Sequence, residues 1–318
     1  MSSPLFLGID AGGTRTRAVL ADGEGRVLGT GEAGAANVVG PDRDQALLRM
    51  GAAAAAALGP VGPEAIGAVC AGAAGLLALP GAGAGLAREL SAVLGADCPV
   101  SFIGDAAIAF AAGTAEPDGT VLIGGTGAAA FAIRSRTGIR SRADGYGWLL
   151  GDLGSGFWLG REAVAAALRH LDGLGPGGWM VQAVIADLAP AVRSSGAVVG
   201  RCMADSPVRL ARFAPVVCEA AEGGDGLARS LVDRAVGHLA ETVRSVAEPG
   251  LPLVLAGGLL SEDTVLSRGL RERLAAELPE APLSVAARPA LGAAWLAASA
   301  LEPDPEARRS LHGRLMAG

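Results

Sequence analysis

A short apolar strand that breaks into Gly-Gly-Thr occurs twice in this chain. The first copy is Leu5-Phe6-Leu7-Gly8-Ile9-Asp10-Ala11-Gly12-Gly13-Thr14-Arg15-Thr16, the second Val121-Leu122-Ile123-Gly124-Gly125-Thr126-Gly127. A third apolar strand, Leu253-Val254-Leu255-Ala256, also ends in two glycines, Gly257-Gly258. Glycines at such a break allow positive φ and bring bare backbone N–H groups against an anion. Any tight turn can use a glycine. Two turns that each add a threonine hydroxyl point to hairpins gripping phosphate groups from opposite sides.

Composition narrows the chemistry. With 318 residues the chain exceeds the usual size of a single core, so two domains are expected. Apolar residues make up 51% but aromatic ones only 3%, with 49 glycines, so the core is built from Ala, Val and Leu under closely packed backbones. A net charge of −6 argues against a nucleic-acid partner. There is no lysine; all 26 basic residues are arginine. That excludes a Walker A loop, the strand lysine of protein kinases and Schiff-base chemistry. A chain of this kind that handles ATP does so with backbone amides, hydroxyls and a metal held by carboxylates. Cys70, Cys98, Cys202 and Cys218 are widely spaced and His170, His238 and His312 isolated, so reduced thiols and no structural metal site are expected. No basic segment precedes the first apolar run, which Asp10 interrupts, so no signal peptide is expected. Residues 66–87 carry no charge, yet their glycines and Pro80 suit a strand, a loop and a helix start better than a membrane span.

The spacing predicts strands at 5–9, 17–21 and 27–31, forming a meander, then a helix over 42–58. Strands at 66–71 and 100–103 flank a helix at 84–94, and Gly104-Asp105 opens a short helix over 106–112. Residues 114–119 mark the boundary, giving domains 1–116 and 117–318, with the last apolar helix, 289–301, able to pack back on the first. Beyond the boundary the plan restarts: strand 120–123, glycine turn, strand 128–133, and a turn at Thr137-Gly138. Helices follow at 156–170, 179–192, 207–222 and 226–246, then strand 251–256, a helix from near Ser261, and an exposed Arg-rich tail.

Four places could carry chemistry. Asp10 ends the first strand beside a phosphate-type turn, where a carboxylate repels phosphate unless a divalent cation lies between them; the alternative is a turn-capping aspartate. Asp105 also stands at a strand end, where ligands of α/β sheets collect, and can equally cap the helix it opens. The segment from Asp144 to Trp158 holds the only tyrosine, two of four tryptophans and two aspartates among glycines. Flat faces and fixed carboxylates suit a sugar, although a glycine-rich aromatic corner is the competing explanation. Asn37 is the only asparagine, and its amide can donate to one hydroxyl and accept from another; retention in a turn is the alternative.

In order and spacing these segments resemble the sugar-kinase, actin and heat-shock-chaperone ATPase superfamily, and within it the N-acetylglucosamine kinase branch of the BadF-type ATPase family. The resemblance spans about residues 5–300. It rests on LGIDAGGTRTRAVL (7–20), IGDAAIAF (103–110), LIGGTGAAAFA (122–132) and DGYGWLLGDLGSGFWLG (144–160), with LAGGLLS (255–261) fitting an adenosine-side loop. It implies an α/β fold of two RNase-H-like (actin-like ATPase) domains around a central cleft, binding ATP, Mg²⁺ and a sugar. Asp105 matches the general base that takes the proton from the 6-hydroxyl of the sugar. Asp10 matches the strand-end acid that holds Mg²⁺ through water. The cofactor positions implied are Asp10, Gly12, Gly13, Thr14, Arg15, Gly125, Thr126, Gly127, Gly257, Gly258 and Ser261. Asn37, Asp105, Gly145, Tyr146 and Asp152 match the positions that hold the sugar. A cytoplasmic homodimer is expected, without membrane or nucleic-acid partner.

Two departures touch the sugar pocket. Tyr146 stands where animal members of the branch have Trp, and Ala128-Ala129 where they have Ser-Asn. Glucosamine, N-acetylmuramic acid and other hexoses therefore stay open beside N-acetylglucosamine. Other BadF-type members are ATPase activators of radical dehydratases that hold an iron–sulfur cluster; the four cysteines here lack the required placement. A sugar-binding regulator without catalysis does not need both Asp10 and Asp105. The zinc-containing repressor and glucokinase branch needs a cysteine cluster that is missing.

Overall fold

A computed structural model describes residues 4–39, 42–76 and 79–318. Residues 77 and 78, within the uncharged stretch 66–87, lie outside the described residues. The chain divides into two compact units. One comprises residues up to Gly119 with 133–140 and 286–318, the other residues 120–132 with 141–285.

In the first unit, β1 (Leu5–Ala11), β2 (Arg15–Asp22), β3 (Val27–Gly34), β4 (Ile66–Ala73) and β5 (Val100–Gly104) form a sheet in the order β3-β2-β1-β4-β5. The meander β1-β2-β3 is antiparallel, whereas β4 runs parallel to β1 and β5 to β4. Buried runs such as Phe6 to Ile9 are what a strand covered on both faces requires. Helix α1 (Arg43–Leu58) lies directly on β3: a Cβ at Gly31 would sit 2.0 Å from the Ala53 carbonyl oxygen. Glycine facing alanine lets helix and sheet backbones nearly touch, which is how a core with few aromatics reaches close packing. Helix α2 (Gly83–Leu94) precedes β5, and α3 (Asp105–Gly113), buried from Ala106 through Ala112, follows it without a linker.

The second sheet joins β6 (Gly119–Gly124), β7 (Ala128–Arg134), β8 (Gly138–Asp144), β9 (Leu253–Ala256) and β10 (Leu283–Ala286) in the order β10-β9-β6-β7-β8. Matched strand for strand, this repeats the first sheet, with β6 and β9 parallel as β1 and β4 are. The fold is α/β with two domains of one plan. Helices α4 (Gly156–Leu171), α5 (Trp179–Leu188), α6 (Ser195–Met203), α7 (Ala214–Glu222), α8 (Gly226–Arg244), α9 (Gly258–Ser261) and α10 (Val265–Glu277) belong to the second unit. The chain then returns to the first unit as α11 (Pro289–Ser299) and α12 (Pro305–Ala317). Among the described residues no helix is long and apolar enough to cross a membrane.

Several sequence expectations need correction. The Arg-rich tail is not simply exposed: it is α12, with Leu311 and Leu315 buried. The predicted helix 207–222 is a 3-10 turn, Pro207–Phe213, followed by α7; Pro215 has no N–H to continue one regular helix. The helix predicted to reach 192 stops at Leu188, two residues before Pro190. The turn placed at Thr137-Gly138 spans residues 135–137, and Ser135 and Arg136 take φ of 49° and 70°. There the Ser135 N–H donates to Asp118 Oδ1 and that of Arg136 to the Pro117 carbonyl.

Candidate functional site

In the first unit, strand register brings the acids to one end of the sheet. Asp10 pairs with Gly72 and Gly72 with Ile103, so Asp105, just past β5, stands at the same carboxyl end of the sheet as Asp10, with β4 between their strands. Both carboxylates are half-buried. Burial, followed by the charge on Asp105, pushes Asp10 up to about 6, with Arg17 opposing. Burial likewise raises the Asp105 carboxyl, opposed by backbone N–H bonds that include Ala106 N–H to Oδ1 at 3.0 Å. The N-cap position of α3 is Gly104; Asp105 is the first helical residue, and its carboxylate takes the N–H of the next one, Ala106. The Gly12–Thr14 turn is closed by Gly12 N–H to the Arg15 carbonyl at 2.9 Å, leaving Gly13, Thr14 and Arg15 exposed. An Ala36 N–H bond to the Gly12 carbonyl pins the Asn37 loop against this turn. Asn37 is exposed, and its Oδ1 accepts the Val39 N–H at 3.0 Å. The side-chain oxygen therefore takes the turn role that the sequence offered as the alternative.

The donor set suits Mg²⁺. Two half-buried carboxylates repel one another with Arg17 in compensation, and a hydrated divalent cation would relieve that repulsion. Asp10 would hold it, and the cation would neutralise phosphate charge.

In the second unit the Gly125–Gly127 turn is tied to the start of α4. Gly156 N–H donates to the Gly125 carbonyl and Phe157 N–H to that of Thr126. Thr126 is exposed. A cavity of about 400 Å³ opens beside it, within the range of small-molecule sites. Its apolar walls are Ala211, Ala214, Pro215, Cys218 and Leu259, and its acceptors include Glu222 and Asp263. Arg268 bridges those two carboxylates, 2.6 Å from Glu222 and 3.0 Å from Asp263. The slot offers apolar walls with carboxylate acceptors at its edge, a combination that suits a nucleoside. Gly125, Thr126 and Gly258 line it, whereas Gly257 and Ser261 do not. Gly257 instead sits behind, at φ 88°, so close to Gly124 that a Cβ would lie 2.3 Å from the Gly124 oxygen. The α7 wall went unread in the sequence because alanine, proline and a buried thiol carry no chemical signature. A larger hollow of about 770 Å³ beside Trp179 meets this cavity at Glu219. Its Asp225 carboxylate is already bonded to the N–H groups of Met180, Leu227 and Ala228, so the smaller cavity is the better nucleotide site.

The aromatic loop lies in the same unit. Tyr146 is 56% exposed, its ring 5.8 Å from the Arg142 guanidinium, while Trp148 packs edge-on to Phe157 at 5.8 Å. Gly145, at φ 70°, donates its N–H to the Ala128 carbonyl. Asp152 is buried, and burial and then the Asp144 charge raise its carboxyl; bonds from the Ala128 and Gly147 N–H groups act the other way.

Asp10, Asn37 and Asp105 therefore gather in one unit, and Gly125–Gly127, Gly145, Tyr146, Asp152 and Gly258 in the other. The profile of the BadF/BadG/BcrA/BcrD ATPase family matches residues 7–297. The chain belongs to this family. Among individual proteins, it is 28% identical over 327 residues to an N-acetyl-D-glucosamine kinase of Dictyostelium discoideum, covering 93% of this chain and 98% of that one. It is 29% identical over 168 residues to an N-acetylmuramic acid/N-acetylglucosamine kinase of Clostridium acetobutylicum, covering 52% and 54% respectively. A crystal structure of a candidate N-acetylglucosamine kinase from Chromobacterium violaceum superposes with a TM-score of 0.73 at 25% identity, covering 93% of this BadF-type chain and 99% of that one.

Proposed function

We propose that this BadF-type chain is an ATP-dependent sugar kinase acting on N-acetylglucosamine and forming its 6-phosphate. The observation that carries the reading is the pair of half-buried carboxylates, Asp10 and Asp105, at one sheet end beside a glycine turn. A hexose hydroxyl is far too weak an acid to ionise near neutral pH, so its proton must be accepted as the phosphoryl group transfers. With no lysine in the chain, a carboxylate is the realistic acceptor, and burial raises the proton affinity of Asp105. Asp10 serves the other requirement, holding Mg²⁺ through water so that phosphate charge is neutralised. Thr14 and Thr126, exposed on their turns, bond the phosphates together with backbone N–H groups, and the α7–α9 cavity takes the adenosine. Asn37, Gly145, Tyr146 and Asp152 hold the sugar. A homodimer and a cytoplasmic setting belong to the same reading, supported by the family resemblance.

A coupled ADP-release assay over N-acetylglucosamine, glucosamine, N-acetylmuramic acid, glucose and N-acetylmannosamine tests it. The highest kcat/KM is expected for N-acetylglucosamine with Mg²⁺–ATP. ATP turnover that no sugar stimulates would refute the kinase reading.

A further inference from the structure

The segment that carries Asp152 is held in an unfavourable backbone conformation. Asp144 and Asp152 have φ of 59° and 56°, in the left-handed region that costs a non-glycine residue about 1 kcal/mol or more, and both are buried. Such a conformation persists only where its surroundings over-determine it. Here the fixing group is the Asp144 carboxylate. Its Oδ1 accepts the Asp152 N–H at 2.7 Å, and its Oδ2 accepts the Leu153 N–H at 2.8 Å. Gly151 leaves room for this contact, since a Cβ there would lie 2.2 Å from Asp144 Oδ1. Asp152 in turn projects its carboxylate over Gly127, where a Cβ would sit 2.6 Å from Oδ2, and receives the Ala128 and Gly147 N–H groups. An ionised carboxylate has about four acceptor sites. Two are used by backbone, leaving two for sugar hydroxyls if the group is held in place.

We infer that Asp144 is a positioning residue for sugar binding: its carboxylate clamps the backbone at 152–153 and so aims the Asp152 carboxylate at the sugar, touching no substrate itself. The inference rests on the sugar-kinase reading. Asparagine at 144 offers one acceptor oxygen and sets an NH₂ against the second backbone N–H, so the clamp loses one bond and gains a repulsion. Asp144→Asn should raise the sugar KM by about 10–100-fold, the usual effect of losing an outer-shell partner, with kcat and the KM for ATP unchanged. Gly151→Ala, whose Cβ would lie 2.2 Å from the same carboxylate and 3.0 Å from the Tyr146 side chain, should raise the sugar KM at least as far. The double variant Asp144→Asn/Asp152→Asn should bind sugar no more weakly than Asp152→Asn alone, because both act through one group. A purely structural role would lower thermal stability or the active fraction, reducing kcat at an unchanged sugar KM. That result, or fully additive effects in the double variant, would overturn the inference. A wild-type chain without sugar-stimulated turnover would overturn the kinase reading and this inference together.

Discussion

Replacing Asp10 with asparagine should make the metal-free protein more stable and the enzyme nearly inactive. The Asp10 carboxyl has a folded-state pKa of about 6 against 3.8 in its unperturbed state, so the folded chain binds the proton more tightly than the unfolded one. Stability from that protonation is fully present below about pH 4 and is lost as pH rises through 6. Above pH 6 the ionised group opposes folding. A shift of about two units at about 1.36 kcal/mol each sets an upper limit near 3 kcal/mol, and relaxation of the half-buried site brings it to about 1–2 kcal/mol. At about 2–4 °C per kcal/mol for a domain of this size, Tm should rise by about 2–8 °C at pH 8 in EDTA. The gain should shrink steadily as the pH is lowered below 6. Mg²⁺ should raise the Tm of the wild type and leave that of Asp10→Asn unchanged, while metal-dependent turnover falls and sugar binding persists. Differential scanning fluorimetry at several pH values reads all of this. A variant less stable than wild type at pH 8, or a gain independent of pH, would show that Asp10 is a satisfied turn residue and not a frustrated metal ligand.

Three further substitutions probe separate parts of the molecule. Asp105→Asn keeps the shape of the side chain and removes its basicity, so kcat should fall by about 10²–10⁴-fold with sugar KM little changed in steady-state assays. Gly257→Ala forces a side chain into φ 88° and to 2.3 Å from the Gly124 oxygen, so ATP affinity, measured by calorimetry, should collapse while sugar affinity survives. Gly8→Ala puts a methyl group 2.2 Å from the Ala290 oxygen under α11, and denaturant titration should show a loss of about 1–3 kcal/mol or more without a change in either KM of the surviving folded enzyme.

The parts of the fold that were legible in the sequence are those where apolar runs meet glycine. Strands β1 and β6 announce themselves because a strand buried on both faces must be continuously apolar, and the following glycines mark the turns. Strand β8 was missed because it is mostly exposed and carries two arginines and a serine, which resembles a loop. Leu311 and Leu315, one helical turn apart, are buried in α12, but the arginines around them hide that pattern. The site divides in the same way. Asp10 and Asp105 stand out in the sequence because each is a carboxylate at the end of an apolar strand, before a glycine turn or a helix. The cavity beside Thr126 does not, since most of its α7 wall is alanine, proline and cysteine, and Arg268 from α10 fixes the Glu222 and Asp263 carboxylates at its edge. Asn37 could be found by its rarity, but only the structure shows that its oxygen is engaged with Val39. The clamp of Asp144 on residues 152 and 153 depends on positive φ at two aspartates, which no local sequence rule supplies.

The most direct test of the central claim is the identity of the phosphorylated atom. N-acetylglucosamine incubated with the chain and Mg²⁺–ATP should yield a product whose phosphorus couples to the two C6 protons in a proton–phosphorus correlation spectrum. Formation should slow by about 10²–10⁴-fold with Asp105→Asn. Phosphorus coupled to the anomeric proton, or inorganic phosphate as the sole product, would contradict the assignment of Asp105 as the base that activates the 6-hydroxyl.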